Sequence, residues 1–298
     1  MSAMTGEPSA APPPANRALR QFFTAFNTNK TSWVGLVTFA VVALVAVLAP
    51  VIATHDPLEQ NILDKLQGPS AEFILGTDGF GRDIWSRLVY GARLSLWIGG
   101  VSILIAMVVG SLIGMVAGYF GGRLDIAIMQ VMDVLLSFPS LILGLMVVAM
   151  MGPSVGNLIF AIALTAIPPF ARIARAPTVS VKERDYIEAC RALGYSHPRI
   201  MAVHILPNIF PEILVMGSLW LATAIRVEAS LSFIGLGVRP PTPTWGGMIR
   251  EGFENILDTW WLSMAPSVAI LVIVFALNMI GDGLRDFVDP KLKGERGG

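Results

Sequence analysis

Residues 182–208 read KERDYIEACRALGYSHPRIMAVHILPN. The stretch is charged and lies between two long apolar ones. From Lys182 to Leu193 it holds helix formers and no proline, and Gly194 suits the left-handed position that ends a helix. Ser196 can cap a second start, and Pro198 falls in its first turn, where a missing N–H costs little. That second helix is expected over 198–205, with Pro207 ending it. Two short helices at an angle make a rigid protrusion, and a rigid protrusion can transmit a movement that a flexible loop would absorb. The stretch therefore reads as a folded platform between membrane helices.

Composition supports the membrane reading. Hydrophobic residues make up 54% of the 298-residue chain and charged residues only 14%, against about 25% charged in soluble domains. The mean hydropathy is +0.66. The charge deficit is local: windows 31–54, 94–122, 134–171 and 259–281 contain no Asp, Glu, Lys or Arg. A membrane helix needs about 20 mostly apolar residues. The third window is too long for one helix, and Gly152-Pro153 divides it. A further apolar stretch, 211–237, carries Arg226 and Glu228.

Six spans are thus expected: 32–53, 94–119, 127–151, 157–176 with a kink at Pro168-Pro169, 211–236 and 262–283. The fold class is all-α and integral to the membrane. Basic residues precede the first span, which could be taken for a cleaved signal peptide, but signal cores run about 7–15 residues and this one is longer, so an uncleaved anchor is expected. Proline and alanine in residues 1–18 suggest a disordered tail. The remaining units are an anchor with its outer segment over 19–93, a core domain over 94–284 and a short tail over 285–298.

Basic residues favour cytoplasmic loops. With the N-terminus inside, 14 of the 21 Lys and Arg lie on inner segments and six (Lys65, Arg82, Arg87, Arg93, Arg239, Arg250) on outer ones; Arg226 stands within a span. Both termini and the 182–208 platform are therefore expected in the cytoplasm, with a multi-pass chain in the inner (plasma) membrane.

Several function classes recede. Formal net charge is zero, which gives no sign of a nucleic-acid partner. One cysteine, Cys190, excludes an intrachain disulfide, and His55, His197 and His204 lack metal-ligand spacing. There is no Gly-x4-Gly-Lys-Ser/Thr phosphate loop, so the chain is not expected to bind ATP or another cofactor itself. No nucleophile–base constellation suggests an enzyme, and the few intramembrane acids argue against a stand-alone secondary transporter.

The platform resembles the coupling loop of ATP-binding-cassette importer permeases, whose pattern is Glu-Ala-Ala-x3-Gly-x9-Ile-x-Leu-Pro. The pattern falls on Glu188, Ala189, Cys190, Gly194, His204, Leu206 and Pro207, with departures at Cys190 and His204. The resemblance implies that this surface receives the ATPase, that Glu188 bonds a residue of it, and that Gly194 sets the turn.

Three more motifs narrow the likeness to the "C"-type permeases of the dipeptide/oligopeptide/nickel group. They are Gly76-Thr77-Asp78-Gly79-Phe80-Gly81-Arg82-Asp83, the run Glu228 to Gly237 with Pro240 to Gly246, and the tail Gly281 to Asp286 with Asp289-Pro290. That resemblance implies a type I importer core built from spans 2–6. It implies a second homologous permease chain, two ATPase subunits that use ATP and Mg²⁺, and an extracytoplasmic solute-binding protein. Peptide is the implied cargo, with nickel or another small solute as the alternative.

Three further expectations concern charge. Glu228 and Arg226 lie in a span, where a charge at the centre costs about 2.5–3.5 kcal/mol, so both are expected at the translocation path; the alternatives are a bond to a neighbouring helix or a place near the interface for Glu228, and a snorkelling side chain for Arg226. Asp133, about two turns from the inner end of span 3, is expected to pair with a polar group. Asp78, Arg82, Asp83 and Trp245 in the outer segments are expected on the face that receives the binding protein.

Overall fold

Long helices built from the uncharged windows dominate the computed structural model, which describes residues 30–257 and 259–288. The expected tails therefore lie mostly outside the described residues. Helix α1 (Lys30–Val47) continues into the short α2 (Ala49–Ile52). A polar outer segment with one 3₁₀ turn (Ile62–Asp64) leads to α3 (Ile84–Phe120). Helices α4 (Gly122–Ser137), α5 (Ser140–Met151) and α6 (Val155–Lys182) follow. The platform holds α7 (Asp185–Ala192) and α8 (His197–Arg199). Then come α9 (Leu206–Ile234), the outer α10 (Trp245–Phe253) and α11 (Trp261–Val288). With α4 and α5 counted as one bent span, six segments are long and apolar enough to cross a membrane.

The structure corrects the expected bounds in three places. First, α3 starts at Ile84, well before residue 94. Asp83 caps it, accepting from the Ser86 N–H at 2.9 Å and the Ser86 hydroxyl at 2.6 Å. Its 37 residues reach about 55 Å at 1.5 Å each, against a hydrocarbon core of about 30 Å. The extra turns place Arg87 and Arg93 ahead of the uncharged window 94–122. Second, span 3 is not continuous. α4 and α5 meet at 89°, because Pro139 lacks an N–H and pushes Phe138 into an extended conformation (φ −85°, ψ 134°). Third, α6 runs through Pro168 and Pro169 without breaking and continues to Lys182.

The tightest seam joins α3 to α6. Gly110 and Gly114 lie against the α6 backbone at Ile167 and Ala171, and a Cβ at Gly114 would overlap the Ala171 carbonyl. Small residues at this spacing let two backbones touch, which is where membrane helices gain their packing energy. One apolar cluster runs from Ile98 and Leu158 through Phe170 to Ile187, Ile200 and Ile205 beneath the platform. The anchor α1 packs outside this core on α11 and α3.

Candidate functional site

The platform has an inner face and an outer face. Ile187, Ile200 and Ile205 are fully buried. On the other side Glu188, Ala189, Ala192 and Leu193 are exposed, Leu193 at 74%. The carboxylate of Glu188 makes no hydrogen bond or ion pair with any described residue. An exposed leucine beside an unengaged carboxylate is a surface suited to a protein partner.

Gly194 ends α7 as expected, at φ +76°. The Tyr195 N–H bonds the Cys190 carbonyl at 3.0 Å and the Gly194 N–H bonds that of Arg191 at 2.9 Å, which is the paired pattern of a left-handed helix stop. Ser196 occupies the cap position of α8, but its side chain makes no capping bond. Pro198 sits in the first turn of that helix.

Beyond it the structure departs from expectation. Residues Ile200–Ile205 form a wide π turn, in which the Leu206 N–H reaches back to the Met201 carbonyl. This turn feeds straight into α9, so Pro207 lies in the first turn of α9 and does not stop a helix. His197–Ile234 is one run of 38 residues, about 57 Å long. The platform is thus one short helix clamped on the inner end of span 5.

Aromatic contacts hold the clamp. The Tyr119 hydroxyl lies 2.8 Å from His197 Nδ1, joining the end of α3 to α8. Arg191 sits over the Tyr119 ring and Arg199 over the Tyr195 ring. His204 stacks on Tyr195 and has its Nε2 3.7 Å from Cys190 Sγ. The two positions that depart from the coupling-loop pattern therefore face each other.

The outer segment gives a second correction. Asp78, Arg82, Asp83 and Trp245, expected on an open docking face, are all buried, at 1–3% exposure. Arg82 pairs with Asp78 at 2.6 Å and with Glu251 at 2.8 Å. Arg87, which the sequence reading did not single out, also contacts both acids, at 3.3 and 3.0 Å. Two cations and two anions cancel, and each guanidinium reaches both carboxylates. Trp245 donates its indole N–H to the Leu88 carbonyl at 3.1 Å. These side chains lock the 78–87 strip onto α10, so a docking protein would meet the loops they shape rather than the side chains themselves.

Glu228 is fully buried beside α3 and α10. Its Oε1 accepts from the Ser232 hydroxyl at 2.8 Å, and Oε2 has no protein partner. It therefore faces no open path in this conformation. Arg226 is exposed and donates to the Thr223 hydroxyl at 3.0 Å. Asp133 does find the partner expected for it: Arg172 lies 2.6 Å away. The sequence does not single out the neighbouring pair, Asp125 with Arg175, although both lie in polar ends of spans. Among the described residues no group of three His, Cys, Asp or Glu could hold a metal ion.

Comparison with known proteins places this geometry. Residues 110–294 match the family described as binding-protein-dependent transport system inner membrane component. Residues 18–69 match the N-terminal TM domain of oligopeptide transport permease C. The chain is 41% identical over 294 residues to the dipeptide transport system permease protein DppC of Alkalihalophilus pseudofirmus, covering 97% of each chain. It is 41% identical over 300 residues to the di/tripeptide transport system permease protein DppC of Pseudomonas aeruginosa, covering 98% and 99%. To the glutathione transport system permease protein GsiD of Pectobacterium atrosepticum it is 41% identical over 260 residues, covering 87% and 86%. Among solved structures, an inward-facing MetNI methionine ABC transporter aligns with TM-score 0.57 and 18% identity, over 69% of this chain and 98% of that one. At that identity the likeness concerns the fold alone.

Proposed function

The chain belongs to the family of binding-protein-dependent transport system inner membrane components, and on that premise we propose that it forms half of the translocation path of an ATP-driven importer of di- and oligopeptides. The family works with an ATPase and with a binding protein. The proposed assembly holds this chain, a second homologous permease chain, two ATPase subunits and one extracytoplasmic solute-binding protein. ATP and Mg²⁺ act in the ATPase subunits, and this chain contributes no catalytic group. The relatives named for dipeptides and di/tripeptides support peptide over nickel or another small solute as cargo.

One observation carries the reading: the platform is bare outward and continuous with span 5. Glu188 and Leu193 are free for a partner, while the buried Ile187, Ile200 and Ile205 fix the same platform to the membrane core. The run from His197 to Ile234 leaves no flexible link between the docking surface and the outer end of α9. A movement of the ATPase applied at α7 and α8 is delivered along α9, and through the Tyr119–His197 contact to α3. Both termini and the platform lie in the cytoplasm in this reading, as the basic residues direct.

The test is Glu188→Lys in the reconstituted importer. The chain is expected to insert and fold as wild type, to retain less than a tenth of its ATPase on co-purification, and to lose ATP-dependent dipeptide uptake. Unaltered ATPase retention and uptake would sink the docking assignment.

A further inference from the structure

Two Asp–Arg pairs bridge α4 and α6, and they differ in one respect. Asp125 and Arg175 make a closed pair: Nε meets Oδ1 and Nη2 meets Oδ2, both at 2.5 Å. The Asp125 side chain is only 13% exposed. This fork-to-carboxylate geometry uses both oxygens. Asp133 and Arg172 make an open pair, with one contact from Nη2 to Oδ1 at 2.6 Å. Their side chains are 53% and 55% exposed (Arg172 and Asp133), and no other described residue bonds either one. Four guanidinium N–H groups and one carboxylate oxygen are left over.

All four residues line one open cavity of about 520 Å³, together with Met129 and Gln130. The cavity lies within spans 3 and 4, and Asp133 stands one turn before the break at Phe138-Pro139. An exposed ion pair inside a membrane span faces water or another protein surface, because lipid solvates neither charge. Spare hydrogen-bonding capacity of both signs, aimed into a cavity, suits a molecule that itself carries both signs.

We propose that Asp133 and Arg172 contact peptide cargo on its way to the cytoplasm, Arg172 taking its α-carboxylate and Asp133 its α-ammonium. This rests on the importer reading above. The exchange is balanced: one protein ion pair opens and two protein–peptide pairs form, with net charge unchanged. Because the Asp133–Arg172 pair re-forms when the peptide leaves, the site does not trap its cargo. A path must bind strongly enough to admit a solute and weakly enough to release it. Asp125–Arg175, with no spare oxygen, is the latch that holds α4 on α6 beside this contact.

The experiment uses the whole importer in vesicles, with ATP-dependent uptake of dialanine, binding-protein-stimulated ATP hydrolysis and thermal unfolding as readouts. Wild-type uptake is the control for the importer reading; if wild type moves no dialanine, that reading fails and the pair is not at issue. Asp133→Asn and Arg172→Gln are expected to keep their ATPase and to hydrolyse ATP, with dialanine uptake down at least tenfold. The reciprocal exchange Asp133→Arg with Arg172→Asp is expected to regain wild-type unfolding temperature without regaining uptake. Recovery of uptake in the exchange would make the pair a structural latch and overturn the proposal. Separately, Gln130→Cys in the assembled importer is expected to react with a charged, membrane-impermeant thiol reagent above the level set by Cys190. No added reaction would mean that a partner chain fills the cavity, and would equally overturn it.

Discussion

The outer segment and the inner platform are both polar, glycine-punctuated stretches between membrane helices, and they use their charges in opposite ways. Outside, Asp78, Arg82, Arg87 and Glu251 turn toward one another, and the two arginines are 2% exposed. Inside, Glu188 points outward with no described partner, and the apolar residues Ile187, Ile200 and Ile205 do the anchoring. The outer segment is held by electrostatics, and the platform by hydrophobic packing. The difference teaches that charge in a loop says little about exposure until its partner is known. A buried charge with a partner is structure, whereas an exposed one without a partner is available for recognition.

The largest effect expected from this contrast is Arg87→Ala. It leaves Asp78 and Glu251 with one cation instead of two and frees the carbonyls of Pro57 and Pro241. Breaking a buried pair from one side costs about 3–5 kcal/mol. Thermal unfolding in detergent should fall accordingly, with poor recovery from membranes. A variant as stable as wild type would show that the charge cluster is not what holds the outer segment.

Gly194→Ala comes next. Its φ of +76° is the region in which a side chain costs about 1–2 kcal/mol. The platform turn should loosen, with reduced protection of the 185–195 amides in hydrogen exchange, while the membrane helices stay as protected as before. Loosening that spread through α9 would mean that platform and span unfold together.

Leu193→Ser should change stability least, within about 0.5 kcal/mol, as for other exposed positions. It removes an apolar side chain that a docked partner would bury, worth about 1.5–3 kcal/mol. ATPase affinity is then expected to drop at least tenfold. Arg87→Ala and Leu193→Ser thus form a pair: one lowers stability through a charge and the other lowers binding through a hydrophobe. If both acted on stability alone, the contrast between the two regions would collapse.

Much of the platform was legible in the sequence. Gly194 stops α7 at the left-handed position assigned to it, because only glycine occupies that region without strain. The inner end of span 5 was less legible. Pro207 looked like a terminator and proved to lie inside a first turn, since the sequence does not say whether the preceding residues are already helical. The break in span 3 was signalled by Phe138-Pro139 and passed over, because both flanks are equally apolar and hydropathy does not register direction.

The outer residues were found as a motif but misplaced. Asp78, Arg82 and Asp83 looked like surface, and their burial depends on Glu251, Thr54 and α10, all distant in the chain. The meeting of Cys190 with His204 is of the same kind, since fourteen residues separate them along the chain.

The sequence by itself determined six membrane spans, the platform and its stop at Gly194, because hydropathy and glycine geometry are local properties of a chain. Only the tertiary structure decided which charged groups meet which partners: Arg87 with Glu251, Asp125 with Arg175, Asp133 with Arg172, and Glu228 with Ser232. Coulomb energy and desolvation depend on distance and surroundings in space, and residues far apart in sequence acquire those only when the helices pack.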